Sequence, residues 1–311
     1  MKHVVITGAS GLVATELTLK LLEETNVKLY LLSTHPENVK NRYPDFEGRF
    51  DVFDLESFST FSRRHQVRFD ICIHAAFARS KSGNEIVSSL SYQQDLLHLF
   101  KEIGLGCFVN ISSQSVYGTT VPLWTEDSRL DPDYLYAMGK YSSEIITNLM
   151  LSDSNIEYTN IRLCSVCENA RFVRVFVQNA IEGKTIRVTA PGQYCSFIDV
   201  RDVASGLLRF IVRDADMKLL PVYNMGANYV NSILDVANRV KVIGESKYGV
   251  KGISIVEDAS DNHARIGMDA SAFMNAFNWT PLYDIDDMIV SIYELVLHPF
   301  EGMFPKSFAV N

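Results

Sequence analysis

Apolar residues in the first half of the chain fall into short, nearly unbroken runs. Between the runs they recur every three or four positions. The runs predict strands at His3–Thr7, Val27–Leu32, Arg49–Val52, Asp70–Ala75, Cys107–Ser112 and Glu157–Leu163. Such continuous hydrophobicity suits strands covered on both faces. The longer periodicity predicts helices at Thr15–Glu24, Glu85–Ile103 and Tyr134–Leu151. Strands regularly separated by helices imply right-handed crossovers, and therefore a parallel, doubly wound α/β sheet.

After Cys164 the alternation loosens. Helices are expected at Arg171–Glu182, Val203–Val212, Ser232–Val240, Ala270–Phe277 and Asp286–Leu297, with short strands at Thr185–Val188, Ser196–Val200 and Val222–Asn224. No Pro-, Gly- or Ser-rich linker divides the halves. The reading is a dinucleotide-binding domain over residues 1–165, with 197–227 returning to it. Residues 166–196 and 228–311 then form a smaller, mostly helical substrate lobe interleaved with it.

Composition narrows the function. With 47% hydrophobic and 21% charged residues in 311, the chain has an ordinary globular balance. No apolar run approaches the ~20 residues a membrane-spanning helix needs. A strand that begins at His3 leaves no room for a signal peptide, so a cytoplasmic location is expected. A net charge of −8 argues against nucleic acid as a partner. The five cysteines are odd in number and scattered, and Cys164-x-x-Cys167 has no second ligand pair, so neither a disulfide framework nor a metal site is expected.

The first strand runs into Thr7-Gly8-Ala9-Ser10-Gly11-Leu12-Val13-Ala14. Gly8 lets the backbone turn, and Gly11 lets a phosphate approach main-chain N–H groups at a helix start. Ala14 takes the place of a third glycine, where helix and strand pack closely. Alone, the pattern also fits an ordinary turn. The fifth strand ends in Asn110-Ile111-Ser112-Ser113-Gln114-Ser115-Val116-Tyr117-Gly118, at the sheet edge where ligands bind in such folds. Tyr136 and Lys140 follow, four residues apart and so on one helix face. An ammonium near a phenol lowers its pKa, which predicts Tyr136 as an acid–base group near neutral pH.

Together these segments resemble the extended short-chain dehydrogenases/reductases, in the branch of nucleotide-sugar epimerases, dehydratases and 4-ketoreductases. The resemblance extends to His74-Ala75-Ala76, Tyr136-Ala137-Met138-Gly139-Lys140, Phe197-Ile198-Asp199-Val200-Arg201-Asp202-Val203, Tyr223-Asn224-Met225-Gly226 and Asn278-Trp279-Thr280-Pro281. It implies a Rossmann sheet and an NAD(P)-dependent enzyme that moves a hydride at a sugar carbon. By position, Ser113 would hydrogen-bond the reacting oxygen, Tyr136 would handle its proton, and Lys140 would hold the nicotinamide ribose. Gly8, Ser10, Gly11 and Leu12 would cradle the pyrophosphate. Asp51 and Val52 would frame the adenine, Ala75 and Ala76 would pass the cofactor's centre, and Arg162 to Ser165, including Leu163, would run beside the nicotinamide. The family's frequent homodimer, built on the Tyr/Lys helix, is compatible with Ile145, Ile146 and Leu149.

Departures from the pattern refine the expectation. The second strand ends Leu31-Leu32-Ser33-Thr34-His35 without the carboxylate that binds the ribose of NAD. Ser33 and Thr34 can donate to a 2′-phosphate, with His35, Lys40 or Arg42 adding charge, so NADP is favoured over NAD. Cys195-Ser196 precede Phe197 where many nucleotide-sugar enzymes place a phosphate-binding arginine, and Arg171, Arg174 or Arg187 are the available substitutes. Gln114-Ser115 stand where the sugar dehydratases carry Asp-Glu, which disfavours elimination and leaves a 4-epimerase or 4-ketoreductase. The rival readings are an NADP-dependent reductase of a non-nucleotide carbonyl and, in another class, a cofactor-sensing regulatory protein.

Overall fold

The predicted strands and helices of the first half are all present, with their ends shifted by a few residues. A computed structural model describes residues 1–118, 123–258 and 267–298. In chain order the first half holds β1 (His3–Thr7), α1 (Leu12–Glu24), β2 (Lys28–Leu32), α2 (Glu37–Lys40), β3 (Phe50–Phe53), α3 (Leu55–His65), β4 (Phe69–His74), α4 (Gly83–Ile103), β5 (Leu105–Ser113), β6 (Leu123–Trp124), α5 (Leu135–Leu151) and β7 (Glu157–Leu163). There follow β8 (Ser165–Val166), α6 (Arg171–Ile181), β9 (Ile186–Val188), β10 (Tyr194–Cys195), β11 (Phe197–Ile198), α7 (Val200–Val212) and β12 (Val222–Met225). The chain continues through β13 (Asn231–Ser232), α8 (Ile233–Lys247), β14 (Ile255–Glu257), β15 (Gly267–Met268), α9 (Ser271–Phe277) and α10 (Ile285–Leu297).

Helix α1 starts at Leu12 rather than Thr15 because the extended Gly11 is its N-cap, with φ −77° and ψ 161°. Helix α3 lies outside the predicted elements. Its start is fixed by a capping box: Asp54 accepts from the Ser57 N–H at 2.8 Å, and Ser57 accepts from the Asp54 N–H at 3.1 Å.

Seven strands form the central sheet in the order β12-β7-β5-β4-β1-β2-β3. Every pairing from β3 through to β7 is parallel. The chain runs outward from β1 to β3, then returns to lay β4 on the other side of β1. Such a reversal opens a crevice at the carboxyl ends of β1 and β4, where a doubly wound sheet binds its ligand. Thr7 and His74 end those strands.

Contact density divides the chain into two units. One comprises Met1–Gly118, Arg129–Leu163 and Ala204–Tyr223. Its core packs Phe58, Phe69, Phe100 and Phe108 with Val5, Cys72 and Leu96. Phe53 packs 5.9 Å from Phe58 and 5.0 Å from Phe61 between ring centres. The other unit comprises Cys164–Val203 with the described parts of Thr119–Ser128 and Asn224–Asn311. There α6, α8 and α10 bury Val173, Val177, Val240, Ile289 and Ile292 against one another. Helix α10 is capped by Asp284, whose carboxylate accepts from the Asp286 and Asp287 N–H groups. Cys164 and Cys167 are buried free thiols. Burial pushes Cys164 up to about 12 and Cys167 well above the ordinary thiol range, which makes thiolate chemistry there unfavourable.

Candidate active site

At the crevice, Gly8 adopts φ +67°, and a Cβ on it would lie 2.9 Å from the Cα and N of Ala76. The Gly11 N–H donates to the Gly8 carbonyl at 2.8 Å, and the Ala9 N–H donates to Leu32 O at 3.0 Å. The loop therefore folds tightly over the ends of β1 and β2. No side chain caps α1, so the first-turn N–H groups at Leu12 and beyond lack an intrahelical partner and suit an anion. Thr7 clamps the floor: its hydroxyl accepts from the Ala76 N–H at 3.2 Å and shares a hydrogen bond with His74 Nδ1 at 2.9 Å. Ala75 and Ala76 are thereby held beside Gly8.

The end of β5 supplies Ser113, extended at φ −149°, whose Oγ accepts from the Ser115 N–H at 3.2 Å. Tyr136 lies beside Ser113, whose hydroxyl is one of the groups that draw the phenol pKa down. One turn along α5, Lys140 is only 5% exposed, and its ammonium donates to Ile111 O at 2.8 Å. Its Nζ lies 4.2 Å from the centre of the Phe77 ring and 6.0 Å from that of Tyr136. Gly139 makes this approach available, since a Cβ there would stand 2.6 Å from Ile86 and 3.0 Å from Phe77. The structure thus brings Ser113, Tyr136 and Lys140 together.

The electrostatics differ from the expectation in one respect. Lys140 was expected to lower the Tyr136 pKa, whereas burial raises it, opposed by the Arg79 guanidinium and by the Ser113 hydroxyl. The physical reason is the desolvation of the phenol itself; Lys140 is desolvated too, which brings it down to about 7 despite the nearby Glu144 carboxylate. A half-charged lysine is a weak source of positive potential. His74 is likewise buried, down to about 3, and stacks 5.6 Å from Phe108.

A lysine whose folded pKa is depressed contributes stability in full above the unfolded value of 10.5, and that contribution is lost as pH falls to about 7. Replacing Lys140 by Met removes this dependence. The melting temperature of Lys140→Met relative to wild type is expected to be most favourable at pH 6–7, with the advantage shrinking steadily towards pH 10. Scanning calorimetry across that range checks it, and a pH-independent difference would contradict a desolvated Lys140.

The sequence profile of the NAD dependent epimerase/dehydratase family matches residues 4–226, a span that contains the whole of this arrangement. The chain belongs to that family. It is an enzyme of the extended short-chain dehydrogenase/reductase type. Among solved structures, the UDP-glucuronic acid 4-epimerase of Bacillus cereus, in complex with UDP-glucuronic acid and NAD, is similar at 19% identity, covering 96% of this chain and 100% of that one with a TM-score of 0.80. The UDP-glucose 4-epimerase of Thermotoga maritima, with UDP-glucose, is similar at 16% identity over 96% of this chain and 100% of that one, TM-score 0.76. The dTDP-glucose 4,6-dehydratase of Bacillus anthracis, in complex with NAD, gives 18% identity over 98% and 99%, TM-score 0.76. No curated protein matches the sequence significantly.

The remaining epimerase/dehydratase positions are placed as follows. Ser33, at the end of β2, is buried and its Oγ accepts from the His35 N–H at 3.1 Å, while Thr34 is exposed. Arg42 reaches back to the glycine loop, donating to Thr15 Oγ1 at 3.0 Å and to Ser10 O at 3.5 Å. Asp51 is paired with Lys28 at 2.8 Å, so its carboxylate is engaged at the strand edge; Val52 pairs in register with Leu31. Leu163 ends β7 in the first unit, and Ser165 opens β8 in the second. Of the substitute arginines, Arg187 pairs with Asp258 at 2.7 Å and Arg171 is exposed at the start of α6. The cation that bears on Tyr136, Arg79, was not among the expected residues. Its only sequence signal is its place three residues after Ala76, in the loop beyond β4.

Proposed function

We propose that this enzyme transfers a hydride between a bound nicotinamide dinucleotide and C4 of a nucleotide-linked sugar, as a 4-epimerase or 4-ketoreductase. The observation that carries the reading is the gathering of Ser113, at the carboxyl end of β5, with Tyr136 and Lys140 on α5. Gly8, which no side chain could replace without meeting Ala76, and the uncapped start of α1 fit a dinucleotide pyrophosphate. When bound, the nicotinamide supplies the hydride chemistry. Ser113 orients the substrate oxygen and Tyr136 exchanges its proton. A phenol raised by burial favours its protonated form, which suits donation to a carbonyl oxygen. Lys140 holds the nicotinamide ribose. The second unit serves as the substrate lobe.

A thermal-shift panel of NADH, NADPH and UDP-, dTDP-, GDP- and CDP-sugars tests this. A ligand at 100 times its Kd adds ~2.7 kcal/mol of stability. No response to any nucleotide sugar would move the assignment to a reductase of a non-nucleotide carbonyl.

The end of β2 supports NADP as the cofactor. Leu31-Leu32-Ser33-Thr34-His35 carries no carboxylate, and Arg42 stands over the loop. Arg42→Ala is expected to weaken NADPH binding ~10- to 100-fold, the worth of a charge-assisted contact, and to leave NADH within about two-fold. Fluorescence titration with both nucleotides checks this, and equal losses would contradict a 2′-phosphate role.

A homodimer is also proposed. Met138, Ile145 and Leu149 are 47%, 39% and 73% exposed at helical spacing along α5, an apolar stripe suited to a second copy. Sedimentation velocity is expected to give twice the mass of 35.0 kDa.

A further inference from the structure

Directly behind the candidate site lies an ion pair that its chemistry does not use. Glu144, one turn beyond Lys140 on α5, is only 3% exposed, and Arg162 on β7 only 5%. The guanidinium meets the carboxylate twice, Nη2 to Oε2 at 2.8 Å and Nε to Oε1 at 3.0 Å. The same carboxylate accepts from the Ser112 hydroxyl at 2.5 Å, and Arg162 donates through Nη1 to the Tyr117 hydroxyl at 2.9 Å while lying 4.8 Å over its ring. Ser112 immediately precedes Ser113 on β5 and faces Arg162 in the β5–β7 register. Tyr117 ends the short 3-10 turn that Ser113 caps.

We infer that the Glu144–Arg162 pair is a positioning element that fixes α5 against β5 and β7, so that Lys140, Tyr136 and Ser113 are held in register behind the cofactor. The inference rests on the proposed roles of those three residues. A buried ion pair adds little net stability compared with a well-packed apolar pair, because desolvation offsets most of the attraction. Its directional forks instead specify geometry, tying three elements at one carboxylate. The negative end of the pair is also the group nearest Lys140 along its own helix, and it favours the charged lysine against burial. The other titratable groups that face Lys140 are His74, held neutral on β4, and Tyr136, the adjoining phenol one turn earlier on α5. Neither opposes or replaces a carboxylate.

The test follows NADH affinity against pH by fluorescence titration, alongside melting temperature. In wild type, affinity is expected to decline over the range where Lys140 loses its proton. Glu144→Gln is expected to move the midpoint down by about half a pH unit, with affinity at pH 8 reduced about three-fold. Glu144→Leu combined with Arg162→Met restores an uncharged, packed core, so it is expected to fold and yet keep the lowered midpoint. Ser112→Ala, which cuts one tie and leaves the pair intact, is expected to show a smaller shift in the same direction. A wild-type midpoint in the double variant and in Ser112→Ala would overturn the inference, whether or not Glu144→Gln folds. Lys140→Met separates the two levels of the account. A pH dependence lost in Lys140→Met but unmoved in the pair variants overturns the positioning role alone. A pH dependence that survives in Lys140→Met overturns the assignment of Lys140 to the cofactor, and the inference with it.

Discussion

Tyr136→Phe is expected to lower turnover of the responding nucleotide sugar by ~10²- to 10⁴-fold, the usual worth of a positioned acid–base group. The phenol stands beside Ser113, and removing its oxygen removes the proton exchanged with substrate. The ring would remain: it contacts Phe77 edge-on at 6.1 Å and stacks on Tyr134 at 6.3 Å, so packing is conserved. NADH affinity and melting temperature should therefore stay near wild type. Steady-state kinetics with parallel NADH titration distinguishes the outcomes. Turnover within a few-fold of wild type would remove Tyr136 from the chemistry.

Gly8→Ala is expected to abolish measurable cofactor binding while leaving a folded protein. Two effects act at this position. Gly8 sits at φ +67°, which costs an L-residue ~1–2 kcal/mol. A Cβ would also stand 2.9 Å from the backbone of Ala76, so the loop over β1 must shift away from β4. Gly48 separates the two, because it has φ +80° with nothing within 4 Å of its Cβ position. Gly48→Ala should show the conformational cost as a small loss of melting temperature and bind NADH normally. Calorimetric titration of both variants checks the pair. Normal NADH binding by Gly8→Ala would mean that the crevice between β1 and β4 is not the dinucleotide site.

The parts legible in the sequence are those set by local pattern. Continuous apolar runs at Val4–Ile6 and Ile71–Ile73 fixed the buried strands, and Gly8, Gly11 and the Tyr136/Lys140 spacing marked the positions that the fold gathers at one edge of the sheet. Helix α3 was hidden because its aromatic-rich start, with Leu55, Phe58 and Phe61 close behind the Phe53 strand end, blurs the change of period; the Asp54/Ser57 capping box was the available signal. The pKa of Tyr136 was not legible, since it depends on burial of both phenol and ammonium by elements distant in the chain. Arg42 was one of three candidate cations until its contacts with Ser10 and Thr15 set it apart. Glu144 continues the spacing of Tyr136 and Lys140, and what gives it significance is Arg162, which only the β5–β7 pairing brings to it.

The central claim is hydride chemistry at C4 of a nucleotide-linked sugar, and a label at that carbon tests it most directly. UDP-sugars carrying deuterium at C4 would be incubated with the protein and its dinucleotide in ordinary water, and the label followed by NMR. The account predicts that the deuterium is either kept at C4 of the opposite epimer or passed to the nicotinamide ring. Deuterium released into water, or no conversion of any nucleotide sugar that the protein binds, would contradict it.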